Sequence, residues 1–443
     1  MDLSADFTFA FRLIAGVYAI IFVLNRILPA RLVRGYCCDS SGNALVYRLN
    51  GIVVYILAIL NFYQDMWPIN QQTLYVLHND CAIAGCAIGL IVSAWFYARG
   101  HENESEKIYN TRDRCMTIDQ ISLATGSGAN SVRKVRASRA RDGESAEKTN
   151  RRSRSRGKSV TSVATASSFI STASLGSKST PGLLSTFYLG HEWNPRIFGV
   201  DIKMFLYLTG AIMLQLNLCA AMAFQAAQPA WNGHISNSMR VYVGCFSWFL
   251  IEYLLQEEIH LYTYDLFAER IGFKLIWGCL FFYPFFYCIG IHSLVNISPL
   301  HDLTPLQTGA ISCMFLVGWV ITRGANMQKF LYKTHPERKL VFFGLIEQRC
   351  VPGTRLLVSG FWGPARHFNY FGELIQAFAL AMPGLLVGHT IMQRCLGLLY
   401  PLYYILLFIP RQMDDDVLCA NKYGEKWSEY CRAVPSRIVP GVW

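Results

Sequence analysis

The sequence predicts an all-α membrane protein, a polytopic transmembrane helical bundle of about nine to ten spans. Hydrophobic residues make up 53% of the 443-residue chain, charged residues only 16%, and the mean hydropathy is +0.27. A soluble globular protein carries about 25% charged residues. Several apolar runs also reach the roughly 17–25 residues that a helix needs to cross a bilayer. A transmembrane β-barrel would show short segments of alternating hydrophobicity instead.

The apolar runs predict nine candidate spans along the chain. They begin near Phe7, Gly51, Asp80, Lys203, Tyr242, Gly272, Thr308, Glu373 and Gln393. No small-residue cleavage site follows the first run, and Arg26 and Arg31 come soon after it. We therefore interpret this run as a retained helix rather than a signal peptide. The last two runs are close together in sequence, which is compatible with a tight helical hairpin.

A polar segment divides the predicted membrane region into two parts. Residues 99–185 are rich in Ser, Arg, Lys and Gly and hold much of the chain's net charge of +11. A segment of this composition cannot bury enough apolar surface to fold alone, which predicts a disordered loop. Its positive charge favours the cytoplasmic side. The predicted organisation is N-terminal transmembrane helices over 1–98, the loop over 99–185, and a C-terminal membrane region over 186–443.

The stretch RRSRSRGKS within this loop has two interpretations. It could be a phosphorylatable or nucleic-acid-binding tail, or a solvated linker that lies along the lipid surface. We favour the linker, so membrane lipid is an expected partner and a specific nucleic acid is not.

The cysteines do not suggest a metal centre. There are fourteen, scattered along the chain without a C-x-x-C pair, and most lie in apolar runs. Zinc sites and disulfide frameworks need organised spacing. We therefore expect small buried side chains and no metal.

Polar residues open one of the last apolar runs, LVSGFWGPARHFNYFGELIQAFALAMPGLL. Pro364 after Gly363 predicts a helix start, because proline fits the first helical turn. Counted from there, four polar residues fall on one helical face: Arg366, Asn369, Tyr370 and Glu373. An internal pair of Arg366 with Glu373 would explain two of them. A whole polar face at membrane depth favours a ligand cavity.

A basic face closes the preceding run. Its members, spaced at three, three and four residues, are Arg323, Asn326, Lys329 and Lys333. They could be charged anchors that reach the lipid headgroups, or an edge that binds phosphate.

The C-terminal tail combines basic and aromatic residues, namely Lys422, Tyr423, Trp427 and Tyr430. The pattern is typical of an amphipathic helix at the membrane interface. It would equally serve as a lid that stacks on a nucleotide and pairs with its charge.

Carboxylates cluster in the stretch IEYLLQEEIHLYTYD. They are Glu252, Glu257, Glu258 and Asp265, close to His260 and Tyr264. Carboxyls inside a membrane bundle indicate function by default and can donate protons. If the span ends before them, they are simply solvated. Together these clusters suit an apolar substrate and a phosphorylated cofactor.

Taken in order, these stretches resemble the sterol reductase family, which includes delta-14 and 7-dehydrocholesterol reductases and the membrane domain of the lamin B receptor. The matching segments are YRLNG at Tyr47, GHEWNPRIFGVDIKMF at Gly190, EEIHLYTYD at Glu257, RGANMQK at Arg323, LLVSGFWGPARHFNYFGE at Leu356, and CANKYGEKWSEYCRAVPSRIVPGVW at Cys419. The resemblance implies a ten-span fold in the endoplasmic reticulum membrane, which is continuous with the nuclear envelope. It also implies NADPH as cofactor and a sterol as substrate, and leaves the oligomeric state open.

The family's cofactor contacts, carried over by the resemblance, form one set. They are Lys329, Lys333, Leu357, Trp362, Asn369, Tyr370, Asp415, Cys419, Ala420, Asn421, Lys422, Tyr423 and Tyr430. Lysines suit the charge of a dinucleotide, and aromatic rings can stack on its bases.

The implied reaction is ionic: a protein acid protonates one carbon of a sterol double bond, and NADPH delivers hydride to the other. Our candidate acids are Glu258 and Asp265, with Tyr264 or Tyr370 as relays. The YRLNG and EEIHLYTYD stretches resemble the reductases of the 14(15) bond, whereas SGFWG and HFNY resemble those of the 7(8) bond. We favour the 14(15) bond.

Several residues depart from the family pattern, and each bears on how active the chain is. The departures are Glu269, Cys279, Gly290, Glu373, Pro410 and Asp414. Two other functions remain open: a sterol-binding scaffold without turnover, and a methyltransferase that would use S-adenosylmethionine.

Overall fold

The computed structural model describes residues 3–38, 43–64, 66–67, 69–100, 182–267 and 269–442. Most of the predicted Ser/Arg loop falls outside these ranges, so its disorder stays a prediction. The last described helix before this gap ends at Arg99, and the first described helix after it begins at Leu183.

Helices dominate the described residues, which confirms the predicted class. The α-helices are α1 (Leu3–Ile27), α2 (Gly51–Tyr63), α3 (Gln71–Val76), α4 (His78–Arg99), α5 (Leu183–Leu189), α6 (Ile202–Ala227), α7 (Asn237–Leu255), α8 (Glu257–His260), α9 (Tyr264–Phe267), α10 (Phe273–Trp277), α11 (Pro305–Thr334), α12 (Phe368–Val387), α13 (Ile391–Leu396), α14 (Leu399–Tyr423) and α15 (Glu425–Ala433). A π-helix, Gly278–Phe286, continues α10, and short 3₁₀ turns cover Ile289–Ser293, Pro299–His301 and Gly360–Trp362.

Seven helical runs in the described residues are long and apolar enough to cross a membrane. They are Asp6–Ile27, His78–Arg99, Ile202–Ala227, Phe273–Ser293, Pro305–Thr334, Phe368–Val387 and Ile391–Tyr423. Two further expected spans correspond to α7 and to α2, an apolar helix of 13 residues. At 1.5 Å per residue α2 is about 20 Å long, less than the roughly 30 Å of a hydrocarbon core. The chain is a multi-pass membrane protein, and its number of spans stays a prediction.

Helix α6 is the central helix of the bundle. In the most apolar 18-residue stretch of α6, 83% of the residues are buried inside the protein, whereas in the corresponding stretch of α11 only 17% are buried. Polar side chains on α6 find partners on other helices: Tyr55 donates to Gln215 at 2.8 Å, and Asn217 donates to the Pro284 carbonyl at 2.9 Å. These bonds are needed because an unpaired polar group is costly in an apolar interior.

In the described residues, three small antiparallel strand pairs interrupt the helices, which the all-helical prediction did not include. They are β1 (Arg31–Cys38) with β2 (Ala44–Leu49), β3 (Arg196–Ile197) with β4 (Val200–Asp201), and β5 (Leu340–Val341) with β6 (Ile346–Glu347). In the first, Val33 pairs with Tyr47, whose ring packs with Leu261 and Leu266. This hairpin therefore supports the segment that joins α7 to α10.

Helices α11 and α12 cross at glycines. A Cβ atom on Gly318 would lie 2.6 Å from the Gly372 carbonyl oxygen, so a larger residue would push the helices apart. Near this crossing, Thr322 donates to the Asn369 carbonyl at 3.2 Å. The close approach brings the C-terminal half of α11 against the first turn of α12.

The expected helix start at Pro364 is wrong, because α12 begins at Phe368. The amides of Arg366 and His367 donate to the carbonyls of Ser436 and Arg437, at 2.9 and 2.8 Å. His367, the residue before the helix, has non-helical backbone angles (φ −129°, ψ 53°), so the helix does not extend back to Pro364. Arg366 therefore precedes the helix and does not share a helical face with Glu373.

Candidate functional site

A group of cationic and aromatic side chains lies where the C-terminal ends of α11 and α14 meet the N-terminus of α12. We call it the cationic rim and define it as Lys329, Trp362, His367, Asp415, Cys419 and Lys422. Cys419 interacts electrostatically with Asp415 and with both lysines, which places these side chains together. The rim unites residues from three segments that the sequence predicted separately.

The wall of the rim is built around Trp362. Its indole N–H donates to the Ala325 carbonyl at 2.9 Å, and Leu357 is buried in the same apolar cluster. The Lys329 ammonium lies 4.9 Å from the centre of the Trp362 ring, a cation–π distance. Lys329 remains exposed, so it can meet an anionic ligand.

Two asparagines face each other beside the rim. The Asn369 amide nitrogen lies 3.4 Å from the Asn326 side-chain oxygen. The side-chain oxygen of Asn369 is buried without a hydrogen-bond partner in the described part of the chain. An unsatisfied buried acceptor is costly, so a ligand donor at this position would be favourable.

Tyr370 lies between two rings. It stacks on His367 with ring centres 5.0 Å apart and on Phe408 at 4.3 Å. Burial, together with the nearby Lys329, lowers the pKa of His367 to about 3. His367 is therefore neutral at physiological pH, and its contact with the Asp415 carboxylate at 3.7 Å is not an ion pair.

Tyr370 also adjoins a second group of side chains, which we call the inner cluster and define as Asp265, Glu373 and Arg411. An Arg411 guanidinium nitrogen and an Asp265 carboxylate oxygen are 2.7 Å apart. Glu373 interacts electrostatically with both, and Tyr370 with all three. The Asp265 side chain is still 32% exposed, so another molecule can approach it. A second ion pair, Arg323 with Glu252, lies nearby.

The predicted acids separate in the structure. Glu258 pairs with Arg31 on β1, and both side chains are partly exposed. Glu257 is buried and accepts the Gly51 amide at 3.1 Å, and burial raises its pKa to about 7. The contacts therefore favour Asp265 over Glu258 as the acid beside Tyr370. The side chain of Tyr264 lies outside the described residues.

The remaining predicted cofactor residues on α11 and α14 differ in what they contact and in how exposed they are. Lys333 donates to the Tyr262 carbonyl at 3.2 Å and lies over the Tyr36 ring, so it faces the segment between α7 and α10. Ala420 and Asn421 are exposed on α14, and the Lys422 ammonium lies 5.2 Å from the Tyr423 ring centre.

Tyr430 is buried in a small core that closes the C-terminal tail against the rim. It packs with Val351 and Val434 and lies 5.1 Å, between ring centres, from Trp427. The Arg366 guanidinium donates to the carbonyls of Val434 and Pro435, at 3.1 and 3.0 Å. It also contacts the Asp416 carboxylate at 3.4 Å. Arg366 thus fastens the tail and does not line a ligand face.

Tyrosines surround the inner cluster towards the middle of the bundle. The Tyr400 hydroxyl donates to the Tyr404 hydroxyl at 3.1 Å, and Tyr287 packs against both rings. Cys279, in the π-helix, interacts electrostatically with Asp265. Aromatic faces of this kind suit an apolar substrate and can stabilise developing positive charge.

Sequence reasoning missed Arg411 and its pairing with Asp265. The two residues are 146 positions apart, and no local spacing connects them. One signal was available: RQMDDD places an arginine on an otherwise apolar helix, where it needs a partner.

Two surface cavities formed by described residues lie away from the rim. One, of about 380 Å³, is lined by residues that include His301, His389 and Arg394. The other, of about 410 Å³, lies between α3 and the end of α6. Neither includes a residue of the rim or of the inner cluster.

Comparison with known proteins gives a consistent result over the whole chain. The Delta(14)-sterol reductase of Arabidopsis thaliana is 30% identical over 438 residues, which cover 97% of this chain and 96% of that protein. The Delta(14)-sterol reductases of Methylotuvimicrobium alcaliphilum and Mus musculus are each 35% identical, over 58% of this chain and 58% and 59% of their own lengths. The model of the ergosterol biosynthesis ERG4/ERG24 family matches residues 165–443, well over half of the chain. The chain therefore belongs to the ergosterol biosynthesis ERG4/ERG24 family of sterol reductases.

Proposed function

We propose that this protein is an NADPH-dependent sterol reductase of the endoplasmic reticulum membrane that saturates the 14(15) double bond. Family membership and the names of its relatives support the sterol and the bond. One structural observation supports the chemistry: the cationic rim and the inner cluster are adjacent, and Tyr370 contacts both.

The rim fits a phosphorylated dinucleotide. Lys329 is exposed and Lys422 lies nearby, so both can meet phosphate charge. Trp362 is buried beneath Lys329 and supports it, and the unpaired Asn369 oxygen offers an acceptor for an amide or hydroxyl donor. When bound, NADPH would supply the hydride for carbon 14 of the sterol.

A hydride and a proton together saturate one double bond, so the protein must supply the proton for carbon 15. The inner cluster has two carboxyl groups, Asp265 and Glu373, around one guanidinium, Arg411. An unpaired charge is costly in a poorly solvated site, so the cluster is electrically balanced when it holds one proton. We propose that Asp265 and Glu373 share this proton, and that it passes to the substrate from Asp265, directly or through Tyr370.

The surrounding rings protect the reaction. Protonation of the double bond places positive charge on a tertiary carbon, which water would capture. The aromatic wall of Tyr287, Tyr400 and Tyr404 excludes water and presents electron-rich faces.

The test is a turnover assay in microsomes that lack endogenous sterol reductases. We would supply NADPH with a 14(15)-unsaturated or a 7(8)-unsaturated sterol and identify the products by mass spectrometry. We expect reduction of the first substrate. Reduction of the second alone would reassign the bond, and reduction of neither by the folded protein would contradict the proposal.

The role of Asp265 is tested by Asp265→Asn, with Glu258→Gln as the matched control. Both changes replace a carboxylate by its amide, but only Asp265 lies in the inner cluster. We expect turnover to fall about 10²-fold or more in the first variant, a size typical of a lost acid catalyst. Equal activity of the two variants would exclude Asp265 as the donor.

A further inference from the structure

Lys203, in the first turn of α6, is completely buried. Its ammonium donates to three backbone carbonyls of one segment: Asp265 at 3.4 Å, Leu266 at 2.9 Å and Glu269 at 2.5 Å. A lysine ammonium has three N–H donors, and all three have an acceptor here. The side chain therefore ties α6 to the segment that follows α9.

This arrangement has a physical reason. The last carbonyls of a helix have no partner within the helix, and a cation near that end is favourable. Helix α9 ends at Phe267, so the carbonyls of Asp265 and Leu266 belong to its last turn. A buried ammonium is tolerated only when its hydrogen bonds are made. The lysine and the carbonyls thus satisfy each other, and neither can be removed without cost.

The same segment carries the carboxylate that contacts Arg411. Asp265 is held at two points by two cations: its carbonyl by Lys203 and its side chain by Arg411. Helix α9 has only four residues, which is too short to be stable alone. The position of the Asp265 carboxylate thus depends on contacts from outside the segment.

We propose that Lys203 is a positioning residue for the reduction: it fixes the backbone at Asp265, Leu266 and Glu269 so that the Asp265 side chain reaches Arg411, Tyr370 and the substrate. This inference rests on the proposed function of Asp265 as proton donor. Lys203 itself touches no substrate, since its ammonium is enclosed by backbone carbonyls.

The first test replaces Lys203 by methionine, which keeps the length of the side chain and removes its charge. A misplacement of about 1 Å in a catalytic group can reduce the rate about 10²-fold. We expect kcat for the sterol to fall by about this factor, while the KM for NADPH stays within about twofold, because the rim is built by other segments. Lys203→Arg keeps the charge and should restore part of kcat.

The matched control is Lys274→Met. The Lys274 ammonium pairs with the Glu269 carboxylate at 2.6 Å, so it holds the same segment, but through a side chain and at a more exposed position. We expect little change in kcat. If Lys203→Met and Lys274→Met behave alike, the three carbonyl contacts have no special role and the proposal is wrong.

A double-mutant comparison separates positioning from general stability. If Lys203 acts through Asp265, Lys203→Met should add little further loss of kcat in the Asp265→Asn background. A full additional loss would show that Lys203 acts by another route. If Lys203→Met does not accumulate, Lys203→Arg decides: its larger planar head cannot reproduce the three contacts, so kcat should fall severalfold, and wild-type kcat would overturn the proposal.

Failure of the proposed function gives a different pattern. An inactive wild-type protein, or a fully active Asp265→Asn variant, would contradict the reductase mechanism and the inference with it. The inference alone would be overturned if the wild-type protein were active, the Asp265→Asn variant had a reduced kcat, and the Lys203→Met variant kept the wild-type kcat.

Discussion

The cationic rim and the inner cluster are neighbours, yet they are built by different rules. In the rim, Lys329 is exposed and needs no fixed carboxylate, because water and an aromatic ring satisfy it. In the inner cluster, Arg411 is only 15% exposed and lies against Asp265. An exposed charge is solvated and can therefore stand without a protein partner, which leaves it able to contact a ligand. An enclosed charge needs a partner of opposite charge, which another part of the fold must supply.

The largest expected effect comes from removing the cation of the inner cluster. Arg411→Met would leave Asp265 and Glu373 without their shared guanidinium, so the Asp265 carboxylate would lose the contact that positions it and the compensation of its charge. We expect kcat to fall about 10²- to 10³-fold, with a smaller effect on the KM for NADPH.

Arg432→Met, on the exposed face of α15, is the control for the loss of an arginine and should leave turnover unchanged. Steady-state kinetics in microsomes measures both variants. If Arg411→Met mainly raised the KM for NADPH, the distinction between the rim and the inner cluster would be lost.

The rim should respond through binding rather than turnover. In Lys329→Met the charge beside Trp362 is lost, and we expect the KM for NADPH to rise about tenfold, the size of one charge-assisted hydrogen bond. The effect should shrink at high ionic strength, because salt screens exposed charges. Lys339→Met, an exposed lysine outside the rim, should show neither change.

Smaller effects on binding are expected at the start of α12. Asn369→Ala removes the unpaired acceptor, and Tyr370→Phe removes a hydroxyl while keeping the stacked ring. A single hydrogen bond contributes about 0.5–1.5 kcal/mol, so we predict NADPH affinity lower by severalfold in each, measured by ligand titration. Tyr188→Phe, at an exposed tyrosine, is the control. Unchanged affinity in both variants would count against the assigned pocket.

Glu257 is a buried carboxyl that belongs to neither the cationic rim nor the inner cluster. We expect its replacement to change stability and to leave catalysis unaffected. Its pKa is raised to about 7 from about 4.5, because it is buried and the Gly51 amide and Arg31 only partly compensate. Between about pH 4.5 and 7 the folded protein keeps a proton that the unfolded chain releases, so the free energy of unfolding falls as pH rises.

Glu257→Gln removes this titration. Relative to the wild type it should be more stable at pH 8, by about 1–3 kcal/mol, with little or no advantage at pH 4.5. Thermal unfolding in detergent at the two pH values measures the difference. Glu258→Gln, at the exposed pair with Arg31, should show no such dependence, and a similar gain there would refute the assignment to Glu257.

The comparison of the two groups also shows how far the sequence could be interpreted. Lys329 was proposed from the local spacing of a basic helical face, whereas Trp362 was carried over by the family resemblance. Asp265 was identified as an acid, but nothing in EEIHLYTYD distinguished it from Glu258, which the fold pairs with Arg31 instead of Arg411. Arg366 was placed on a ligand face because Pro364 suggested a helix start, and no local signal showed that the backbone of His367 would be non-helical and bonded to the C-terminal tail.

The sequence by itself determined the class, because crossing a bilayer needs long apolar runs and these are properties of a continuous stretch of chain. It also determined which residue types are available for chemistry. Only the tertiary structure decided which of them meet: Arg411 with Asp265 across 146 residues, and Lys203 with the carbonyls of a segment more than sixty positions away. The physical reason is that an enclosed charge is stabilised by a partner at a distance of a few ångströms, and the fold, not the spacing along the chain, sets that distance.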